Sequence, residues 1–224
     1  MRMKIKIIAA STTLFILLGA VLGVQQYISS QITSRVEREM PKASGISASI
    51  PLADLPSNIT SDSIKSVNIN IKSFALKESG TKTSLDISAS NISKAKPTMA
   101  GSLEVTATIS PSTIAESSEF NNAQIVGNTL QVSAGPGGVG TALLIPKYSN
   151  SQLYFELQSI SIFGNQIPAS SLPAELQDQI KSKSQRSLTP PKGLKVESIS
   201  FSSKGLSVKM FGSNIQLGNL GSSL

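Results

Sequence analysis

The chain has no cysteine, no histidine and no tryptophan, and aromatic residues make up only 4% of it. Without cysteine there is no disulfide framework, no lipid-modified cysteine and no thiolate metal site. Without histidine there is no Ser–His or Cys–His nucleophile pair and no His-ligated zinc. The scarcity of rings argues against a sugar-stacking face and a base-stacking nucleic-acid site. Acidic residues are few as well: 20 Lys+Arg stand against 13 Asp+Glu, a net charge of +7. Arg2, Lys4 and Lys6 supply three of those charges, and taking them from the +7 leaves +4 for the rest. No basic block is dense enough to track a phosphate backbone, so nucleic acid is not expected as a partner. A mild positive balance suits work beside an anionic membrane surface, and it suits ordinary solubility equally well. Asp54, Asp62, Asp86 and Asp178 are scattered and outline no metal loop. No cofactor is expected.

What the chain does have is an uncharged run from Ile7 to Val24 behind those three basic residues. Basic residues followed by an apolar core are what the export machinery reads, and the positive end stays in the cytoplasm. The run is 18 residues long. That exceeds a usual signal-peptide core of about 7–15 residues and reaches the roughly 18 that a membrane span needs. Residues 1–24 therefore read as a signal anchor or a cleaved signal peptide. Ile28, Ile32, Val36 and Met40 recur at helical spacing until Pro41, so 25–44 reads as a juxtamembrane helix and linker. Residues 45–218 read as one domain and 219–224 as a tail. The expected location is the cell membrane with the bulk of the chain outside the cytoplasm, or secretion if the signal is removed.

Most of the domain alternates apolar and polar residues, the period of half-buried strands. Val67, Ile69 and Ile71 begin the series; Leu85, Ile87 and Ala89 follow, then Leu103, Val105, Ala107 and Ile109. Leu153, Phe155 and Leu157 come next, then Leu194 and Val196, and Leu206, Val208 and Met210 close it. Three runs change phase midway, near Lys72, Gln158 and Glu197. A one-residue slip turns later side chains to the other face, and a bulge restores the face while bending the strand. The pattern predicts either long curved strands with bulges there or pairs of short strands with a kink between. Ser110-Pro111 predicts a helix start, serine as cap and proline first. A second helix is expected from about Pro173 to Ser184, with Leu172, Leu176 and Ile180 as its apolar stripe. Glu175 and Asp178 precede Lys181 and Lys183, which suits the helix dipole. The sum is α+β: a long curved antiparallel sheet around one or more helices, behind an N-terminal transmembrane or signal helix.

Motifs that carry chemistry lack their settings. Gly135-Pro136-Gly137-Gly138-Val139-Gly140 fits G-x-G-x-x-G, but Thr141-Ala142-Leu143-Leu144-Ile145-Pro146 follows, strand-like text where a dinucleotide site needs a helix. It reads as a glycine-rich loop between strands. Ser79-Gly80-Thr81-Lys82 and Ser93-Lys94-Ala95-Lys96 fit S-x-x-K, yet both lie in polar connections rather than at a helix start. Asn58-Ile59-Thr60 and Asn91-Ile92-Ser93 fit the glycosylation pattern, which matters only in a host that glycosylates exported asparagine. No enzyme is expected.

The C-terminal text Pro191-Lys192-Gly193-Leu194-Lys195-Val196, then Lys204-Gly205-Leu206-Ser207-Val208 with Gly212 and Leu217 beyond it, resembles the closing hairpin of the LmeA-like phospholipid-binding domain family. Leu172-Pro173-Ala174-Glu175-Leu176 and the N-terminal run are similar too. Ile50-Pro51-Leu52 stands where the family usually carries a Pro-Phe-Leu type segment, here without its phenylalanine. The resemblance is close over Leu172–Leu217 and looser over Gly45–Ile162. It implies a tubular lipid-binding (TULIP-like) plan, a curved sheet wrapping a helix around an apolar cavity. It also implies an exported or membrane-tethered envelope protein that binds phospholipid. Actinobacterial members are associated with maturation of mannose-bearing envelope glycolipids.

The expected function is therefore extracytoplasmic binding of phospholipid or glycolipid in support of envelope lipid transport or glycolipid maturation. Expected partners are phospholipid or a lipid-linked glycan, the membrane, and envelope-synthesis enzymes. Leu172, Leu176 and Ile180 are expected in one groove wall, and Ile69, Ile71, Leu103, Val105, Phe155 and Leu157 in the other. Lys181 and Lys183 either meet phosphate at the mouth or form a solvated helix face. The alternative is a non-catalytic envelope scaffold with a solid core and no ligand.

Overall fold

The computed structural model describes residues 44–51, 54, 58, 61–75, 82–117, 120, 122–135 and 138–217. The anchor or signal run, the juxtamembrane stripe and the tail lie outside them. Among the described residues no helix is long and apolar enough to cross a membrane.

Strands dominate, and they form two sheets where the alternation alone predicts one. The first contains β1 (Ser44–Ser49), β2 (Ser63–Ala75), β3 (Lys82–Ser93), β4 (Met99–Ile109), β11 (Lys195–Ser202) and β12 (Gly205–Gln216) in the order β1-β2-β3-β4-β12-β11. The second contains β5 (Gln124–Val126), β6 (Thr129–Ala134), β7 (Gly140–Ser149), β8 (Gln152–Ile162) and β10 (Arg186–Ser187) in the order β10-β8-β7-β6-β5, with β9 (Asn165–Pro168) also on β8. The stretch read as one domain divides into two compact units. One comprises described residues 44–107 with Pro190–Glu197 and 209–217; the other comprises Thr108–Thr189 with Ser198–Val208. Below they are the first and second unit. Strands β4, β11 and β12 contribute residues to both.

In the first unit, β2 and β3 set apolar residues opposite one another: Val67 faces Ala89, Ile69 faces Ile87 and Ile71 faces Leu85. All six are buried, as are Leu103, Val105 and Ala107 of β4. Pairing slips between Ile71 and Phe74, where Lys72 and Ser73 stand against Ser84 alone. That is the bulge expected at Lys72. On β12, Lys209 bridges Glu104 of β4 and Glu197 of β11 at 3.0 Å each. The two carboxylates, Glu197 first, hold its ammonium above the ordinary lysine range.

In the second unit, Ser110 caps α1 (Pro111–Ser117), its Oγ accepting the Thr113 N–H at 3.3 Å. Serine cap and leading proline work as the sequence implied. Strands β7 and β8 pair with one slip: Leu143 faces Ser159 while Leu144 faces Leu157. Gln158 is left over, so the second expected bulge also forms. The expected phase change near Glu197 is visible as two successive exposed residues, Glu197 and Ser198.

Candidate functional site

Helix α2 (Ala174–Ser184) starts one residue after the expected Pro173, which serves as its cap. A single 3-10 turn, Ala169–Ser171, leads into it. The helix is held at its ends. Ser184 Oγ accepts the Phe155 N–H of β8 at 2.8 Å and donates to Lys181 O at 3.0 Å. Gln177 Nε2 donates to Ala169 O at 3.0 Å. Lys181 Nζ lies 4.7 Å from the centroid of the Tyr154 ring, a cation–π contact along the same edge. The apolar stripe between these fastenings is not closed down: Ser184 is the only buried residue of the helix.

Beneath the stripe runs a groove of about 680 Å³. Leu176 and Ile180 line it from the helix, with Gln179 and Lys183 at the polar side. The floor is three strands wide. Val132, Ala142 and Ile160 form one row across β6, β7 and β8; Ala134, Gly140 and Ile162 form the next. Leu144 continues the floor and Phe120 stands at its side. Two features of the sequence make this surface. Ala134, Gly140 and Ala142 are small, so the middle of the floor is low. The bulge at Gln158 brings Ile160 onto the face that Leu157 occupies next to Leu144, because without it residues three apart would point to opposite faces.

The expected wall residues separate into groups. Leu176 and Ile180 line the groove, while Leu172 precedes the helix, half-buried, and does not. Leu157 is buried in β8, and Phe155 stacks at a tilt between Phe120 and Phe201, ring centroids 6.4 and 5.6 Å apart. Ile69, Ile71, Leu103 and Val105 belong to the first unit and are core residues there. The floor residues Val132, Ala134, Gly140, Ala142 and Ile160 were not among the wall residues expected from the sequence. Their signal was the run of small residues around the glycine-rich loop. That loop joins β6 to β7 and leads into a strand, so no dinucleotide site forms. Lys183 reaches the groove edge and Lys181 is engaged with Tyr154. Ser93, the motif serine of the second S-x-x-K, closes β3 and its Oγ accepts the Ala95 N–H at 3.1 Å, while the intervening Lys94 donates through Nζ to Asn58 O and Ser61 O at 2.7 Å each. Ser79 of the first lies outside the described residues.

No group of three or more acidic residues that would hold a metal occurs among the described residues. The groove offers a mostly apolar surface, with Gln179 and Lys183 as polar groups on its helix side. No family model matches the chain, and no curated protein and no solved structure matches it either.

Proposed function

We propose that the second unit holds the acyl chain of a phospholipid or lipid-linked glycan in the groove beneath α2, and that the protein serves envelope lipid transport or glycolipid maturation outside the cytoplasm. One observation carries the reading. Leu176 and Ile180 face a floor of alanine, glycine, valine and isoleucine across unfilled space. A helix stripe of this kind normally closes onto its sheet. The volume falls within the roughly 300–1,000 Å³ of small-molecule sites. About ten methylenes moved into it contribute roughly 8 kcal/mol. The cost of association, about 4–15 kcal/mol, offsets most of that. The balance suits a ligand exchanging with a bilayer. The polar edge at Gln179 and Lys183 is where a headgroup would lie. The likeness of the Leu172–Leu217 text to LmeA-like domains and the apolar run Ile7–Val24 support the same reading.

The test is photo-crosslinking. The full chain is reconstituted in phospholipid vesicles carrying a diazirine on one acyl chain, irradiated and digested. Adducts on peptides from 130–145 and 174–184 are expected, and the Ala142→Leu variant, which fills the floor, loses them. Uniform labelling, unchanged by Ala142→Leu, would instead support a scaffold with no lipid ligand.

A further inference from the structure

The turn between β8 and β9 places Phe163 84% exposed, with Ile162 41% exposed beside it and Val139 52% exposed next to Gly140, the residue paired with Ile162. Ile162 pairs with Asn165, so the turn is the two residues Phe163-Gly164, with φ of 50° and 83°. Both lie in the left-handed region that such tight hairpins require, where asparagine and glycine are the favoured residues. A bulky ring at the first position is unfavourable for the backbone and for exposure to water. Local folding therefore does not account for phenylalanine here.

The surroundings are as telling as the ring. Between residues 120 and 174 the sequence contains two charged residues, Lys147 and Glu156. They pair with each other at 3.7 Å, toward the other end of the β7–β8 hairpin. The tip itself is flanked by Asn165 and Gln166, polar and neutral. We propose that this tip inserts into a lipid bilayer, Phe163 entering the hydrocarbon with Val139 and Ile162 at the interface. A charge near hydrocarbon is costly, and residues 157–174, which include the tip, carry none. A protein partner fits less well. A stable protein interface buries about 800 Å² on each side, and Phe163 on the turn with Ile162 and Val139 beside it offers roughly half of that. A bilayer needs no complementary shape. The docking does not require the groove to hold a ligand, although Ile162 and Val139 also line the groove, so the same contact brings its mouth to the membrane.

The absence of tryptophan provides the experiment. Full-length Phe163→Trp, reconstituted in vesicles of phosphatidylcholine and phosphatidylglycerol, carries a single indole at the tip. Asn128→Trp, at the exposed β5–β6 turn on the opposite end of the same sheet, is the control. The tip indole is expected to emit to the blue and to be quenched by lipids brominated on their acyl chains, while the control does neither. Water-like emission at the tip would overturn the proposal. So would a blue shift without bromine quenching, which means a protein surface covers the ring. Adding Leu176→Gln and Ile180→Gln separates the two readings. Quenching that survives these changes belongs to the tip; quenching lost with them comes from lipid in the groove and overturns insertion while supporting the groove.

Discussion

The two units use the same alternating text and reach opposite ends. In the first, Ile71 and Leu103 are wholly buried and the inward apolar residues of β2, β3 and β4 are closed off from water. Its outer face is serine, threonine, asparagine and charge, with Asn70 Nδ2 donating to Asp86 Oδ1 and Lys209 spanning two glutamates. In the second, the sheet face at β6–β8 stays partly open and the helix above it buries no apolar side chain. The difference lies in residue size rather than in hydropathy. Branched side chains meet across β2 and β3 at Ile69–Ile87 and Ile71–Leu85, whereas alanine and glycine stand where β6 ends and β7 begins. A packed core and a groove share one period and differ in what fills it.

Substitutions sharpen this contrast. Leu103→Ala, in the closed unit, removes buried volume that the neighbours cannot replace and is expected to cost about 2–5 kcal/mol. Urea unfolding followed by circular dichroism measures it. Ser184→Ala leaves the Phe155 N–H without its acceptor and releases the end of α2, a cost of about 1–3 kcal/mol, read in the same way and in faster amide exchange at Phe155. Phe163→Asn relieves a left-handed aromatic residue and is expected to stabilise by about 1 kcal/mol, a rise of roughly 2–4 °C in Tm. Leu176→Gln, in the open unit, is expected to change stability by less than about 1 kcal/mol, because surface-like positions respond weakly, yet to abolish acyl crosslinking. Equal losses from Leu103→Ala and Leu176→Ala would erase the contrast.

The smallest effect is alkaline. Lys209 titrates above its ordinary value in the folded protein because Glu197 and Glu104 favour the charged form. A raised folded value adds stability below the unfolded value of 10.5 and loses it as pH rises through the folded one. Wild type is therefore expected to lose a slight advantage over Lys209→Met only above about pH 10.5, in paired urea titrations. All three side chains are well exposed, so the advantage is small throughout.

Period-2 alternation identified the long strands, and phase changes located the bulges at Lys72 and Gln158 because a slip must be absorbed somewhere. Ser110-Pro111 announced α1. Alternation names a face but not its partner strand, so nothing in the sequence told that Ile69 and Leu103 belong to one sheet and Phe155 to the other. Half of the groove was legible: Leu176 and Ile180 stood out by helical spacing. Its floor was not, since Gly140 sits in a glycine-rich run that reads as loop and the small side chains of Ala134 and Ala142 add little to an apolar alternation. Strand β1, SGISAS, hid for the same reason. Phe163 was invisible because Phe-Gly is not a usual hairpin signal, and only the backbone shows the price of placing it there.

The most direct test of the account is native mass spectrometry of the full-length protein drawn from phospholipid bilayers, wild type beside Ala142→Leu. The account expects one bound phospholipid or glycolipid per wild-type chain and none on the variant, with the variant at least as stable as wild type. A wild-type chain free of lipid, or a variant destabilised by overpacking at position 142, would contradict it and leave a solid scaffold in its place.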